Sequence, residues 1–302
     1  VATATYASIA DLVTAEALAT ELQMLLADRE QSVLMHPALF YAGDSNGAES
    51  LVKKIPQAGL MGYDVPSAVA VDTDSTDATW TDASVTLTPA RQVLSRTFGD
   101  GAMSVGSGLT PELLALDAAI SHAQRLIALI AAAGASATTI KGTTATALTW
   151  SALRSAGAAI NQGKARGRKL AILKPQAADE LIADISDNAG GALQYTPAAQ
   201  AMALAVNAGY VGSMGDIDIY SSDRVTDDST DYLNVIFAAG GMTWADMTVQ
   251  APDGHPDVVK LGKVLLERKR TPGKGITRWV SSSWLAATIG QQGAIAQVLS
   301  GM

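Results

Sequence analysis

Few residues in this chain have the types and spacing of a reaction centre. His36, His122 and His255 stand far apart, with no His-x-x-His or His-Glu-x-x-His pair to begin a zinc site. Packed or solvated imidazoles are the ordinary reading. Ser104, in Ala102-Met-Ser-Val-Gly106, is the nearest approach to a Gly-x-Ser-x-Gly nucleophile elbow, but it sits in a glycine-rich bend with no buried strand before it. Ser50 and Lys53 match Ser-x-x-Lys without its companion motifs. Asp72, Asp74 and Asp77 gather hard oxygen donors. A calcium loop of the EF-hand type would, however, need glycine where Asp77 stands and glutamate where Ala83 stands. A solvated acidic turn is the plain reading there, with a casually bound cation as the alternative. Gly106 and Gly108 lack the third glycine of a dinucleotide fingerprint, and no phosphate loop of the Gly-x-x-x-x-Gly-Lys type occurs. Cys 0 removes thiolates and disulfides together. The expectation is a chain with no catalytic centre, no metal and no cofactor.

Charge placement says more. Lys+Arg 21 against Asp+Glu 29 leaves a net charge of -8, which repels phosphate rather than gripping it. Residues 55–90 hold no Lys or Arg but carry Asp64, Asp72, Asp74, Asp77 and Asp82. Basic residues cluster elsewhere, at Lys164, Arg166, Arg168 and Lys169, and again along 260–278 at Lys260, Lys263, Arg268, Lys269, Arg270, Lys274 and Arg278. An ordinary solvated surface accounts for this distribution. The sharper reading is that an acidic arm docks on a basic strip of a neighbouring subunit, complementarity setting register more than affinity. The candidate contact residues are then Asp72, Asp74, Asp77, Trp80 and Asp82 on the arm, with Arg91, Arg96, Lys164, Arg166, Arg168, Arg268 and Arg270 as basic partners.

The elements that must carry these residues follow from periodicity. Residues 9–29 have a helical stripe at Leu12, Val13, Ala17, Leu18, Leu22 and Leu25, and the rest of 1–60 reads as an extended segment that needs neighbours. Residues 65–71 (VPSAVAV) and 85–98 (VTLTPARQVLSRTF) read as the two strands of an arm with no core of its own. Such a pair is marginal alone in water, so the arm is expected to lie on another chain. A glycine-rich bend at 99–108 precedes the clearest helix, with Thr110 as N-cap, Pro111 in the first turn and Gly134 as terminator. Its expected stripe is Leu113, Leu116, Ile120, Ala123, Ile127 and Ile130. At 1.5 Å per residue this spine is roughly 35 Å long.

From Trp150 the pattern becomes alternating α and β: a helix over 150–162, a buried strand over 169–173, a helix over 176–186, another opened by Thr196-Pro197 and running to 207, and strands over 216–220 and 232–238. Residues 221–231 read as an exposed polar loop. Two long strands, 258–270 and 276–289, joined by the turn 271–275, close the chain. The apolar run 126–133 is shorter than the roughly 20 residues that span a bilayer, no signal peptide is visible, and Val1 suits removal of an initiator Met before a small residue. A soluble chain without membrane contact is expected. The α+β organisation divides into an N-terminal helix and extended arm (1–60), an extended loop (61–100), a spine (101–145), an α/β domain (146–257), and closing strands with a C-terminal tail (258–302).

This order of parts resembles the major capsid proteins of tailed bacteriophages, the Hong Kong 97-like fold shared with encapsulins. Residues 171–181 (AILKPQAADEL) are similar to the strand-Pro-helix entering that fold's axial domain, 212–221 (GSMGDIDIYS) to its later strand, and 87–96 (LTPARQVLSR) to the returning strand of its extended loop. The resemblance implies an icosahedral shell subunit that forms hexamers and pentamers around double-stranded DNA. The axial domain would lie at the capsomer centre, the spine and long strands in the peripheral domain, and the arm over a neighbour. It further implies scaffold, portal and decoration or cement proteins as partners, assembly in the host bacterial cytoplasm and residence in the virion capsid. Some family members crosslink through an arm lysine; residues 55–90 contain none, so noncovalent contacts or a cement protein would have to serve. An encapsulin-like nanocompartment is the alternative with the same fold, and an α/β enzyme the alternative of a different class.

Overall fold

The computed structural model describes residues 33–44, 53–57, 83–99, 111–163, 165, 167–187, 195–197, 209–247, 258–261 and 263–302. Two sheets and one long helix organise them. In the first sheet the fourteen-residue strand β14 (Ile276–Ile289) is central. Along one edge it pairs antiparallel with β4 (Ala90–Gly99), from Gly99 opposite Ile276 to Ala90 opposite Leu285. Along its other edge run β13 (Val264–Thr271) and then β11 (Met242–Met247), end to end. β12 (Val258–Leu261) pairs with β13, and β1 (Leu39–Asp44) lies parallel to β11.

The second sheet has the order β5 (Ile140–Lys141), β15 (Ile295–Gly301), β10 (Asp231–Ala238), β6 (Lys169–Leu173), β9 (Ile217–Ser221), β8 (Tyr210–Met214) and β7 (Tyr195–Pro197). Its central strands are buried on both faces, which their continuous apolar runs anticipate. Helices α2 (Trp150–Gln162) and α3 (Pro175–Asp187) cover one face, presenting Leu153, Ala156, Ile160, Ala177, Leu181 and Ile185. Thr149 caps α2 by accepting from the Ala152 amide. Two carboxylates of α3 hold the same corner, Glu180 accepting from the Leu148 amide at 2.9 Å and Asp184 from the Trp150 amide at 2.7 Å. Buried Asn234 is fully used: it donates to the Val298 carbonyl and Ser300 hydroxyl and accepts from the Lys174 amide.

Helix α1 (Pro111–Gly134) joins the sheets. Its N-terminal half sets Leu114 and Ala118 against Leu266 and Trp279 of the first sheet, while Leu126, Ile127 and Ile130 reach Ile172, Val235 and Phe237 of the second. Full burial of such side chains contributes about 1.5–3 kcal/mol each. The expected stripe is thus shifted. Ile120, Ile127 and Ile130 are buried, but Leu116 and Ala123 are only half-buried, and Leu114, Ala118 and Leu126 replace them. One helical window, 116–134, is long and apolar enough by composition to cross a membrane, longer than the run 126–133 suggested. Here its polar residues have partners on the sheet: Asp117 accepts from Arg96, and Arg125 donates to Gln92.

Several expected elements differ. Residues 258–270 are not one strand but a hairpin, with Leu261 opposite Val264, so the antiparallel ladder reverses there. Thr196 and Pro197 lie in strand β7 rather than opening a helix; residues 198–207 are outside the described set. The segment 1–60 contains strands β1 and β2 (Lys53–Gln57), while the expected helix 9–29 is also outside it. Strand β2 pairs with β3 (Ala83–Leu87), and Thr88-Pro89 separates β3 from β4, because proline cannot donate to a ladder. The returning arm strand therefore belongs to the body of the first sheet over its last ten residues, and the expected strand 65–71 is not among the described residues. The loop 221–231 is largely exposed as expected, though it buries Ser222, Val225 and Asp231. Strands β8, β11 and β15 had not been foreseen, and β15, expected as a tail, fills the interior of the second sheet.

Candidate assembly surfaces

One face of the first sheet is covered by α1; the other is exposed near the β13–β14 turn but buries Leu265 and Ser282 further along. On the covered one, β14 presents Ser281 and Ser283 to His122 of α1, whose ring nitrogens lie 3.0 and 2.6 Å from the two hydroxyls. Burial lowers the pKa of His122 below its usual range, partly offset by the bond to Ser281. Arg96, opposite Trp279 on β4, grips Asp117 through two bonds of 3.0 and 3.1 Å on this same side. Between them Leu94, Leu114, Ala118, Leu266 and Trp279 line a pocket with space for about one water, roughly 10 Å³.

Side chains alternate along a strand, so the neighbours of these residues face away from the helix. Arg278 and Lys269 stand directly opposite one another there, with Arg278 donating to Ser95 at 3.2 Å. Arg91, Arg268, Lys269, Arg270, Lys274 and Arg278 are all exposed, as is Val93. Of the expected contact residues, this brings Arg91, Arg96, Arg268 and Arg270 to one sheet. Asp72, Asp74, Asp77, Trp80, Asp82, Lys164 and Arg166 lie outside the described residues. The arm has Lys53 and Lys54 on its described part, at the end nearest the body.

Arg168 is elsewhere. It donates to the Asp218 carboxylate, whose other oxygen accepts from His36 Nε2 at 3.0 Å. Nδ1 of His36 accepts from the Ala38 amide, which fixes the proton on Nε2. Burial pushes the Asp218 pKa up, but the bonds from His36 and Arg168 together outweigh it and hold it below the usual value. Burial and the Asp218 charge raise Tyr220 to about 12. Lys169 is wholly buried, and its ammonium meets the half-exposed carboxylate of Asp216. At the edge formed by β1, Tyr41 packs on Trp244 and donates to Asp246 at 2.7 Å, beside Lys263. Burial and that carboxylate raise Tyr41 to about 12. The His36 seat was invisible in sequence, because its partners lie in a strand and a loop more than a hundred residues away. Among the described residues no three His, Cys, Asp or Glu gather as metal ligands.

No protein-family model matches the sequence, and no curated protein does. Solved structures are similar along most of the chain. The capsid of a native GTA particle aligns at TM-score 0.58 and 10% identity, covering 91% of each chain. The chain solved for Mycobacterium phage Che8 aligns at TM-score 0.54 and 15% identity, over 82% of this chain and 84% of that one. The chain adopts the Hong Kong 97-like shell fold. A third shell-fold structure, the holo-SrpI encapsulin complex from Synechococcus elongatus PCC 7942, aligns at TM-score 0.54 and 12% identity, over 99% of this chain and 91% of that one. At such identities the likeness is one of fold. Within this fold β4, α1 and β14 pack together, and the turn between β13 and β14 lies at the end of β4 where Gly99 pairs with Ile276.

Proposed function

We propose that this chain is the structural subunit of an icosahedral viral capsid, a self-assembling shell component rather than an enzyme. The observation that carries the reading is the alignment with the capsid of the GTA particle over 91% of both chains. A structural role also suits the described side chains: the buried polar groups at His36, His122 and Asn234 hold elements together instead of lining a cleft. In this reading hexamers and pentamers of the chain enclose double-stranded DNA without sequence-specific contacts, which the net charge of -8 favours. The second sheet lies towards the capsomer centre, and α1 with the first sheet forms the periphery. The shell resides in the virion capsid after assembly in the host bacterial cytoplasm, with scaffold, portal and decoration or cement proteins as partners.

The 99% coverage by the encapsulin alignment favours one competing reading, a nanocompartment with protein cargo. Electron microscopy of the purified chain tests the common part: closed icosahedral particles are expected, and a stable monomer or dimer would overturn it. Nuclease-protected DNA in particles from the native source separates the capsid from the nanocompartment, which would instead hold protein.

A further inference from the structure

We infer that the pocket at Trp279 is the binding site of one ordered water, which bolts α1 to β14 by completing a chain of polar groups from Asp117 to His122. The site is independent of the shell reading. Two buried donors and the space beside them carry it.

The first donor is the indole of Trp279. The residue is 8% exposed, and its Nε1–H has no acceptor among the described residues. Native interiors rarely leave a buried N–H unpaired, because its desolvation is then uncompensated. Trp279 lines the pocket together with Asp117 and Ser281.

The second donor is a hydroxyl hydrogen with nowhere else to go. A neutral imidazole donates from one ring nitrogen and accepts at the other. Ser283 stands 2.6 Å from Nδ1 of His122 and Ser281 3.0 Å from Nε2, and among the described residues neither hydroxyl has a second partner. One hydroxyl therefore donates to the ring, while the other accepts from it and must place its own hydrogen elsewhere. Of the two, only Ser281 lines the pocket. Ser283 thus donates to Nδ1, the ring proton sits on Nε2, and Ser281 turns its hydrogen into the pocket.

The pocket matches that demand. Its roughly 10 Å³ is about the least space that holds one water, and a buried water needs two to four polar partners. The water accepts from Trp279 and Ser281 and donates to Asp117, whose carboxylate keeps lone pairs free after accepting two bonds from Arg96. Two inward donors would also suit a halide ion, but the Asp117 charge opposes one. Arg96, Asp117, the water, Ser281 and His122 then form one network across β4, α1 and β14. Apolar contacts among Leu114, Ala118 and Leu266 leave the helix free to slide, whereas a fully satisfied polar network admits one register.

Two measurements test this. A map of the unmodified chain, at a resolution that shows ordered water, is expected to place a peak within hydrogen-bond distance of Trp279 Nε1, Ser281 Oγ and the Asp117 carboxylate. No peak, or one that touches Asp117 alone, would overturn the inference. So would a peak that strengthens when chloride is exchanged for bromide, which would assign a halide. The second measurement is a stability cycle at Ala118, which borders the pocket from α1. Ala118→Thr and Ala118→Val fill the space to the same extent, but only the first offers an oxygen to the Trp279 N–H. By urea denaturation, the folding equilibrium constant of Ala118→Thr relative to Ala118→Val is expected to be about tenfold higher with Trp279 present than in the Trp279→Phe background, where the orphaned donor is gone. An equal ratio in both backgrounds would overturn the inference. If the Ala118 variants do not fold, the map decides alone.

Discussion

His36 and Asp218 are 182 residues apart in sequence and 3.0 Å apart in the fold, both buried. Residues 33–38 precede β1 of the first sheet, whereas Asp218 lies in β9 of the second. One hydrogen bond thus straps the two sheets together, with Val33, Ala38 and Leu39 packing beneath it. Asp218→Ala leaves the His36 N–H buried without its acceptor, at a cost of about 1–3 kcal/mol in subunit stability by urea denaturation. Because the folded Asp218 carboxyl titrates below the ordinary aspartate value of 3.8, its contribution is complete above that pH and is lost as pH falls through the folded value. Asp218→Asn removes this part of the acid sensitivity; an unchanged acid profile in that variant would contradict the strap.

His122 gives a pH dependence at a higher range. Burial holds its folded pKa below the ordinary histidine value of 6.5, so the folded state binds the proton less readily than the unfolded one. The packing of α1 on β14 is fully stable above about pH 6.5 and weakens as pH falls below it. Denaturation at pH 7.5 and 5.5 should show this loss in the wild type and a smaller loss in His122→Gln. Equal losses would place the titrating group elsewhere.

The C-terminal strand is expected to be indispensable. Ile295, Ala296 and Val298 are fully buried, and β15 separates β5 from β10. Removal of residues 295–302 deletes these side chains and the ladder to β10, several kcal/mol against a typical total stability of about 5–15 kcal/mol. Circular dichroism of the truncated chain should show no cooperative melting transition. A normal transition would mean that β10 is self-sufficient at the sheet interior.

Local signals were legible where one short stretch contained its own reason. The helices expected over 150–162 and 176–186 and the apolar strand over 169–173 each appear in the structure with nearly the bounds that the residues suggest. Residues 258–270 misled, because β-branched and apolar alternation does not mark where a chain turns when Gly262 and Lys263 offer only a weak break. The spine stripe drifted for a related reason. An alanine- and leucine-rich helix has apolar residues on several faces, and the position of two sheets decides which face is covered.

By itself the sequence determined the types of the strongly patterned elements α1, α2, α3 and β6, the absence of thiol chemistry, and the separation along the chain of the acidic segment from the basic one. These depend on side-chain identity and on periods of two or 3.6 residues, which are local. Only the tertiary structure decided that the arm's return strand lies along β14, that residues 295–301 enter the second sheet, and that His36 finds Asp218. Each of those depends on which distant segments share an edge or a face, and pairing across a hundred residues leaves no mark on either segment alone.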